Sequence, residues 1–241
     1  AIFPSTACRL QHLLGAREVG ACDVNAVCSG FDFALTLGYL AVANRTVGRV
    51  LVVAAEKFSS LLDWEDRATC VLMGDGAGAV VLAADAPRGE ILANVMGSDS
   101  AGIEDLWIPA GGSARPTSLE TLAARQHFMK MNGPEIYKFG SRIIGEALAE
   151  ALAAAGLGIA DLDLLIPHQA NIRILQSAAK RLGLSMDKVV CNIDRYSNTS
   201  AASVPIALAE ARETGRLRPG MIIGLVAFGA GLNWGASILK W

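Results

Sequence analysis

The sequence lacks several features that would place it in a specialised class of protein. Its 21 Lys and Arg residues nearly balance its 23 Asp and Glu residues, so nothing favours nucleic acid as a partner. No apolar run reaches the roughly 18 residues that a membrane span needs, because Gly, Asp or Lys interrupts each one. The five cysteines form no CxxC pair and leave an odd one, which favours a reducing cytoplasm over a disulfide framework.

What is present indicates a globular α/β protein with a large core, since 52% of the 241 residues are hydrophobic. Short β-branched runs alternate with longer helical patterns, which favours mostly buried strands. The clearest predicted strands cover residues 49–56 and 221–228. Residues 140–158 predict an amphipathic helix of about four turns that ends near Gly156.

Two stretches resemble each other and suggest that the chain contains two similar halves. Residues 73–85 and 228–241 each run from a glycine-rich loop into an apolar strand. Residues 86–130 show little periodicity and contain many Gly, Pro and Ser residues, which predicts an irregular insertion. The predicted division is therefore an N-terminal half (1–85), an insertion (86–130) and a C-terminal half (131–241).

Cys28 is the first candidate for chemistry. It precedes a predicted helix over residues 30–43, and the partial positive charge at a helix N-terminus stabilises a thiolate, the nucleophilic form of cysteine. The alternative is that Cys28 is a small buried apolar residue, which is how most cysteines are used.

His168 and Asn198 are the second and third candidates. His168 follows a predicted buried strand, where loops at strand ends gather catalytic groups, and Asn198 lies in a loop ahead of a predicted helix. The amide of Asn198 could point an N–H at developing negative charge. The alternatives are a hydrogen-bonded structural histidine and an ordinary turn or cap residue.

The segment "GDGAGA" at residues 74–79 is not interpreted as a phosphate-binding loop. It lacks the Lys and Ser or Thr of that motif, and it precedes a predicted strand instead of opening a helix. Its glycines are better explained by close approach of backbone segments in a core.

Five ordered segments, "DVNAVCSGFDFAL", "DRATCVLMGDGAGAVVL", "IPHQANIRI", "RYSNTSAASVPIAL" and "AFGAGLNWGASIL", together closely resemble β-ketoacyl-acyl-carrier-protein synthase III of bacterial type II fatty acid synthesis. The resemblance implies a thiolase-like five-layered αβαβα sandwich of two similar halves and a homodimer. Complete members of that family begin roughly 80 residues earlier, so the N-terminal half is expected to be incomplete and its sheet to lack neighbours.

The resemblance also implies roles for the three candidates. Cys28 would attack an acyl-CoA thioester and form an acyl-enzyme. His168 and Asn198 would donate hydrogen bonds to the enolate that forms when malonyl-acyl-carrier protein loses CO2. The backbone N–H groups of Cys28 and Ala230 would hold the tetrahedral oxyanion, although the family often has glycine where this chain has Ala230.

Further roles follow from the same resemblance. Phe3 would reach into the acyl pocket of a neighbouring subunit, and Arg67 and Asn171 would contact CoA. Arg173, extended by Lys138, Lys180 and Arg181, would receive the acidic carrier protein. The alternatives are an ordinary interface aromatic, an exposed arginine, a helix-capping asparagine and solvated surface charge.

The implied reaction is a decarboxylative Claisen condensation of an acyl-CoA starter, by default acetyl-CoA, with malonyl-acyl-carrier protein. No permanently bound cofactor and no metal is expected. Two alternatives stay open: a condensing enzyme similar to type III polyketide or quinolone synthases, and a non-catalytic ketosynthase-like interaction subunit. A papain-like hydrolase has the same residue order, but the expected sequence around its cysteine is absent.

Overall fold

The computed structural model describes residues 3–241 as alternating helices and strands. The helices are α1 (Thr6–Leu13), α2 (Gly30–Ala43), α3 (Leu119–Ala123), α4 (Gly133–Ala154), α5 (Ile172–Leu182), α6 (Ile193–Tyr196) and α7 (Ser203–Glu213). The strands are β1 (Arg49–Glu56), β2 (Gly76–Ala83), β3 (Glu90–Ser98), β4 (Leu106–Trp107), β5 (Lys130–Met131), β6 (Leu164–Pro167), β7 (Ile222–Gly229) and β8 (Asn233–Lys240).

Two sheets carry most of the described strands. β1 and β2 form an antiparallel pair, and the larger sheet has the strand order β3-β8-β7-β6. Within the larger sheet β6 and β7 run parallel, whereas β8 is antiparallel to both β7 and β3. β4 and β5 make a separate short ladder.

The sheets and helices stack in layers. α2 packs on β1 and also touches β8, while α7 packs on β2 and also touches β6 and β7, so these two helices lie between the sheets. α4 covers the opposite face of the larger sheet with α5 beside it. One hydrophobic cluster fills the space around α2 and α7, and a second fills the space under α4 and α5.

Helix α2 and strand β1 have the predicted bounds, and β7 is shifted by one residue from its predicted range. The helix predicted over 140–158 is longer than expected, because α4 begins at Gly133 with a proline in its first turn and extends over 22 residues. Gly156 follows it with a φ of +71°, the left-handed conformation expected after the helix end. Among residues 3–241 no helix combines the length and apolarity needed to cross a membrane.

The prediction of an irregular segment over residues 86–130 is wrong for its first part. β3 (Glu90–Ser98) pairs with β8 along its length and forms an edge of the larger sheet. Its partner lies more than 130 residues away in the chain, so local periodicity carries little of the signal. Residues 90–98 therefore share a sheet with strands of the predicted C-terminal half.

One face of the β1–β2 pair is apolar and open. Leu51 pairs with Val81 and Ala55 pairs with Ala77, and all four side chains are exposed. The other face carries Val52 and Ala54, which are buried against the central helices. The described residues therefore form four of the five layers that the resemblance implies, with the β1–β2 pair on one outer side.

Candidate active site

Cys28 lies in a tight turn where two backbone segments meet. A 3-10 turn covers Val27–Ser29 and leads directly into α2, as the sequence predicts for a residue at a helix start. Val27 has a φ of 47°, which is strained for a β-branched residue. Gly229, at the end of β7, must be glycine here, because an added Cβ would lie 2.9 Å from the Cβ of Cys28.

The surroundings of Cys28 favour the protonated thiol at rest. The side chain is buried, and burial raises the pKa of Cys28 to about 11. The hydroxyl of Ser200 donates to Sγ over 3.4 Å and lowers that pKa in part, whereas the nearby carboxylate of Glu56 raises it. Burial therefore opposes the resting thiolate that the helix start favours, and the thiolate stays a prediction.

His168 follows β6 and is fixed by backbone and side-chain contacts. Its N–H donates to the carbonyl of Val226 over 2.7 Å, and its ring lies edge-on to Phe228 with centroids 5.7 Å apart. Nδ1 lies 2.7 Å from Oγ of Ser203. Burial lowers the pKa of His168 to about 3, with a backbone contact to Ser200 offsetting part of that effect, so the imidazole is neutral at pH 7.

Asn198 is held by the backbone on both sides and by its own amide. Its N–H donates to Leu72 O over 3.0 Å, and its carbonyl accepts from the N–H of Gly74 over 2.8 Å. The N–H of Ser200 donates to Oδ1 over 2.8 Å. Because Oδ1 is engaged in this bond, the amide is oriented and Nδ2 is left to act as the donor.

Cys28, His168 and Asn198 line one cavity of about 130 Å³. Apolar side chains make up much of its wall, including Leu72, Met73, Leu106, Met131, Ile136, Ile174 and Phe228. The three groups come from three separate elements: the start of α2, the end of β6 and the loop before α7. A thiol, a neutral imidazole and a carboxamide therefore face a mostly apolar space.

The turn between β7 and β8 closes one side of this site. Gly229 lines the cavity and touches Cys28, and the next residue is Ala230. The amide of Asn233 donates to the carbonyl of Ala230 over 2.9 Å and so fixes the orientation of this turn. The oxyanion role of the Cys28 and Ala230 N–H groups stays a prediction.

The residues predicted to bind CoA or the carrier protein lie on the surface at different distances from the cavity. Asn171 lines the cavity and caps α5 by accepting from the N–H of Arg173, so the predicted contact and the capping alternative are compatible. Arg173 is exposed in the first turn of α5, and Arg67 is exposed in a turn before Met73.

The other predicted basic residues are less close to one another. Lys138 on α4 donates to Glu135 over 2.6 Å, so its charge is already paired. Lys180 and Arg181 lie in the last turn of α5, about two helical turns from Arg173. Phe3 is 84% exposed and does not line the cavity of its own chain.

Sequence reasoning missed two residues that touch the candidate side chains and a third that acts on one of them from a distance. Ser200 contacts Cys28, Ser203 contacts His168, and Glu56 at the end of β1 acts on Cys28 through its charge. Both serines lie in the segment "NTSAAS", whose sequence pattern indicates only helix capping. Glu56 is partly buried, and burial raises its pKa to about 7, while a backbone N–H of Ala201 offsets part of that rise.

Comparison with known proteins agrees with this geometry. The family described as 3-oxoacyl-[acyl-carrier-protein] synthase III matches residues 22–100, and its C-terminal model matches residues 152–241. The chain is 48% identical over 240 residues to the β-ketoacyl-[acyl-carrier-protein] synthase III of Desulfitobacterium hafniense, covering 100% of this chain and 72% of that protein. The corresponding protein of Symbiobacterium thermophilum is 47% identical over 239 residues, covering 99% and 72%. The chain belongs to the β-ketoacyl-acyl-carrier-protein synthase III family.

A solved structure extends the likeness to three dimensions. The β-ketoacyl-[acyl-carrier-protein] synthase III of Thermus thermophilus superposes with a TM-score of 0.90 at 41% identity, covering 100% of this chain and 74% of that one. The predicted thiolase-like fold of β-ketoacyl-acyl-carrier-protein synthase III is confirmed, and so is the class of enzyme, an acyltransferase that condenses acyl groups. Among residues 3–241 no group of three or more metal-ligating side chains is found.

Proposed function

We propose that this protein joins an acyl-CoA starter to malonyl-acyl-carrier protein by decarboxylative Claisen condensation, with Cys28 as the nucleophile. The observation that carries the proposal is the shared cavity of Cys28, His168 and Asn198. Acetyl-CoA is the default starter, and the product is a β-ketoacyl-carrier protein that begins fatty acid synthesis in the cytoplasm.

In the first half-reaction Cys28 accepts the acyl group. Sγ attacks the thioester carbonyl, the bond from that carbonyl to the CoA sulfur breaks, and the thiol proton is transferred overall to the departing CoA thiol. The backbone N–H groups of Cys28 and Ala230 stabilise the tetrahedral oxyanion. Because the resting sulfur is protonated, the hydroxyl of Ser200 assists by donating to Sγ as negative charge develops.

In the second half-reaction malonyl-carrier protein supplies the carbanion. The bond to the carboxylate breaks, CO2 leaves, and its electron pair forms an enolate at the thioester. Nε2–H of His168 and Nδ2–H of Asn198 donate to the enolate oxygen, and their neutrality suits a cavity whose apolar wall disfavours full charges. The carbanion attacks the acyl-Cys28 carbonyl, the bond from that carbonyl to Sγ breaks, and the released thiolate takes up one proton from solvent.

The two substrates reach the cavity from the surface that carries Asn171 and Arg173. Asn171 lines the opening and contacts the pantetheine arm, and Arg67 contacts the CoA nucleotide. Arg173 is exposed, and no carboxylate among the described residues pairs with it, so it is available to an acidic carrier protein. Lys180 and Arg181 extend the basic face of α5, and Lys138 contributes if its pair with Glu135 opens.

A second subunit completes the acyl pocket in this proposal. Phe3 is exposed and lies outside the cavity of its own chain, which is compatible with insertion into a partner's pocket. The assembly proposed is a homodimer.

The experiment that tests the reaction separates its two halves in His168→Ala and Asn198→Ala. We expect both variants to accept an acyl group from acyl-CoA at near the wild-type rate, because neither side chain acts in that step. Malonyl-carrier decarboxylation should fall by about 100-fold or more, since each variant loses a donor to the enolate. Asn192→Ala serves as the control, because Asn192 is also buried but donates to Glu210 instead of facing the cavity.

The same assay decides between the open alternatives. Normal decarboxylation in Asn198→Ala would contradict the proposed role of that amide. Efficient extension with malonyl-CoA, and none with the carrier protein, would favour a type III polyketide or quinolone synthase. Failure of acyl transfer in the wild-type protein would favour a non-catalytic subunit.

A further inference from the structure

His168 has a second polar contact whose chemistry restricts the state of the ring. Oγ of Ser203, the first residue of α7, lies 2.7 Å from Nδ1, and both side chains are buried. The N–H of Gln169 donates to the same Oγ over 3.2 Å. Ser203 thus receives one hydrogen bond from the backbone and shares a second with the imidazole.

A serine hydroxyl has one hydrogen and two lone pairs, so the contact has two possible polarities. If the ring carried its proton on Nδ1, that N–H would take the second lone pair of Oγ, and the hydroxyl hydrogen would need another acceptor. Helical serines ordinarily use the carbonyl three or four residues earlier, which here belongs to Ser200 or Thr199. Among the described residues Ser203 Oγ makes no such bond.

The other polarity gives the Ser203 hydroxyl hydrogen, Ser203 Oγ and His168 Nδ1 each a partner. The Ser203 hydroxyl donates to Nδ1, the Gln169 N–H donates to Oγ, and the ring proton sits on Nε2. Burial lowers the pKa of His168 to about 3, so the ring carries a single proton at pH 7 and the choice between its nitrogens is a choice of tautomer.

We propose that Ser203 is a positioning residue that holds His168 in the Nε2–H tautomer. This inference rests on the proposed function, which requires Nε2 to donate to the enolate oxygen. One short segment then prepares both donors, because Ser200 N–H orients the amide of Asn198 and the Ser203 hydroxyl orients the imidazole.

The direct test reads the tautomer by NMR. The chain has only 3 histidines, His12, His127 and His168, so protein labelled with 15N-histidine gives three ring systems, and the one lost in His168→Gln is assigned. Ring 15N shifts and couplings to the ring carbons report which nitrogen carries the proton. We expect the Nε2–H form in wild type and in Ser203→Thr, which keeps the hydroxyl.

In Ser203→Ala we expect the Nδ1–H form to become populated, because the Nε2–H form has lost the hydrogen bond from the Ser203 hydroxyl to Nδ1. Malonyl-carrier decarboxylation should then fall roughly 10- to 100-fold, the usual cost of removing an outer partner of a functional histidine, while Cys28 acylation is retained. Ser203→Thr should restore most of the decarboxylation rate. Ser141→Ala is the matched control, since Ser141 is a buried serine of α4 whose hydroxyl has no hydrogen-bond partner among the described residues.

A wild-type ring protonated on Nδ1 would overturn the inference, and so would an unchanged tautomer with normal decarboxylation in Ser203→Ala. If Ser203→Ala fails to fold, the wild-type and Ser203→Thr spectra still decide the tautomer. Loss of Cys28 acylation in wild type would instead contradict the proposed function. The tautomer assignment would be unaffected, because the 15N spectrum measures it independently of acylation.

Discussion

The residues around Cys28, the proposed nucleophile, are strained, close-packed and mostly neutral. Val27, Ser197 and Ser200 all have positive φ values, and Gly229 admits no side chain next to Cys28. Such strain persists only where the surrounding structure holds the backbone in place. The cavity is therefore organised before any substrate arrives, which is what stabilisation of an enolate by fixed donors requires.

Sequence motifs predicted Cys28, His168 and Asn198 as candidates, but they did not indicate the residues that contact these side chains. The Ser200–Cys28 contact spans 172 positions of the chain, and the Ser203–His168 contact spans 35. Contacts between residues so far apart in the chain leave no local sequence pattern, whereas helix capping by serine does leave one. The ionisation state of Cys28 was unpredictable for a related reason, because it depends on burial that only tertiary packing creates.

Asp32 is a buried carboxyl that destabilises the folded state by an amount that depends on pH. It lies in the first turn of α2, and neither of its oxygens has a hydrogen-bond partner among the described residues. Burial raises its pKa to about 8, offset slightly by its own backbone N–H. Between the unfolded value near 4 and about 8 the folded state keeps the proton that the unfolded state loses, so stability falls as pH rises through that window.

We therefore expect Asp32→Asn to gain stability relative to wild type as the pH is raised from 5 to 8. The relative gain in the free energy of unfolding should be about 1–4 kcal/mol over that interval, measured by urea denaturation. Asp85→Asn, at an exposed carboxyl, is the control and should show little change. A difference between Asp32→Asn and wild type that is the same at both pH values would contradict the assignment.

At the scale of elements, α4 positions the site through contact with β7. An added Cβ at Gly140 would lie 2.3 Å from the ring of Phe228, and that ring also packs against the imidazole of His168. The ring of Phe139 on α4 also packs on Phe228, with centroids 6.0 Å apart. The glycine thus lets the helix approach the strand closely enough to support the imidazole.

Two glycines of α4 give a matched pair of substitutions. Gly140→Ala should destabilise the protein by about 1–3 kcal/mol through overpacking and should slow decarboxylation by displacing Phe228. Gly145→Ala meets only Leu182 at 3.7 Å and should stabilise the helix by roughly 0.5–1 kcal/mol. Thermal unfolding measures the stability effects, and the decarboxylation assay measures the effect on activity. If the two variants behaved alike, the proposed support of the His168 imidazole by α4 would be wrong.

Elements with strong local patterns were predicted well, and elements defined by distant partners were not. α2, β1 and β7 have clear periodicity and glycine or charge at their ends, and their predicted bounds match the structure to within a residue. β3 contains Asn94 and Gly97, which weaken its pattern. It exists as a strand because β8 supplies its hydrogen bonds.

Across the whole molecule, positive charge is locally clustered although the net charge is slightly negative. The chain has a net charge of -2, yet exposed Arg173 and Lys180 lie about two turns apart on one face of α5. Local cations of this kind speed encounter with an acidic protein even when the total charge is negative. The overall composition therefore gives no reason to expect nucleic acid, and it could not by itself indicate a carrier protein.

Arg173→Glu should separate the two substrates. We expect the KM for malonyl-carrier protein to rise by about 10-fold or more at low salt, with acyl-CoA loading unchanged, because the proposed partner of Arg173 is the carrier protein and not CoA. Arg212→Glu, at the far end of α7 from Ser203, is an exposed control that should leave both steps unaffected. Equal loss of both steps in Arg173→Glu would indicate damaged folding instead of a docking role.

Intact mass of the protein after exposure to acetyl-CoA tests the central claim most directly. The account predicts one added acetyl group on wild type, located on Cys28 by peptide mapping and released when malonyl-carrier protein is added. Cys28→Ala should remain unmodified, while Cys191→Ala should be labelled like wild type. An acetyl group that persists in Cys28→Ala, or that wild type does not pass to the carrier substrate, would contradict it.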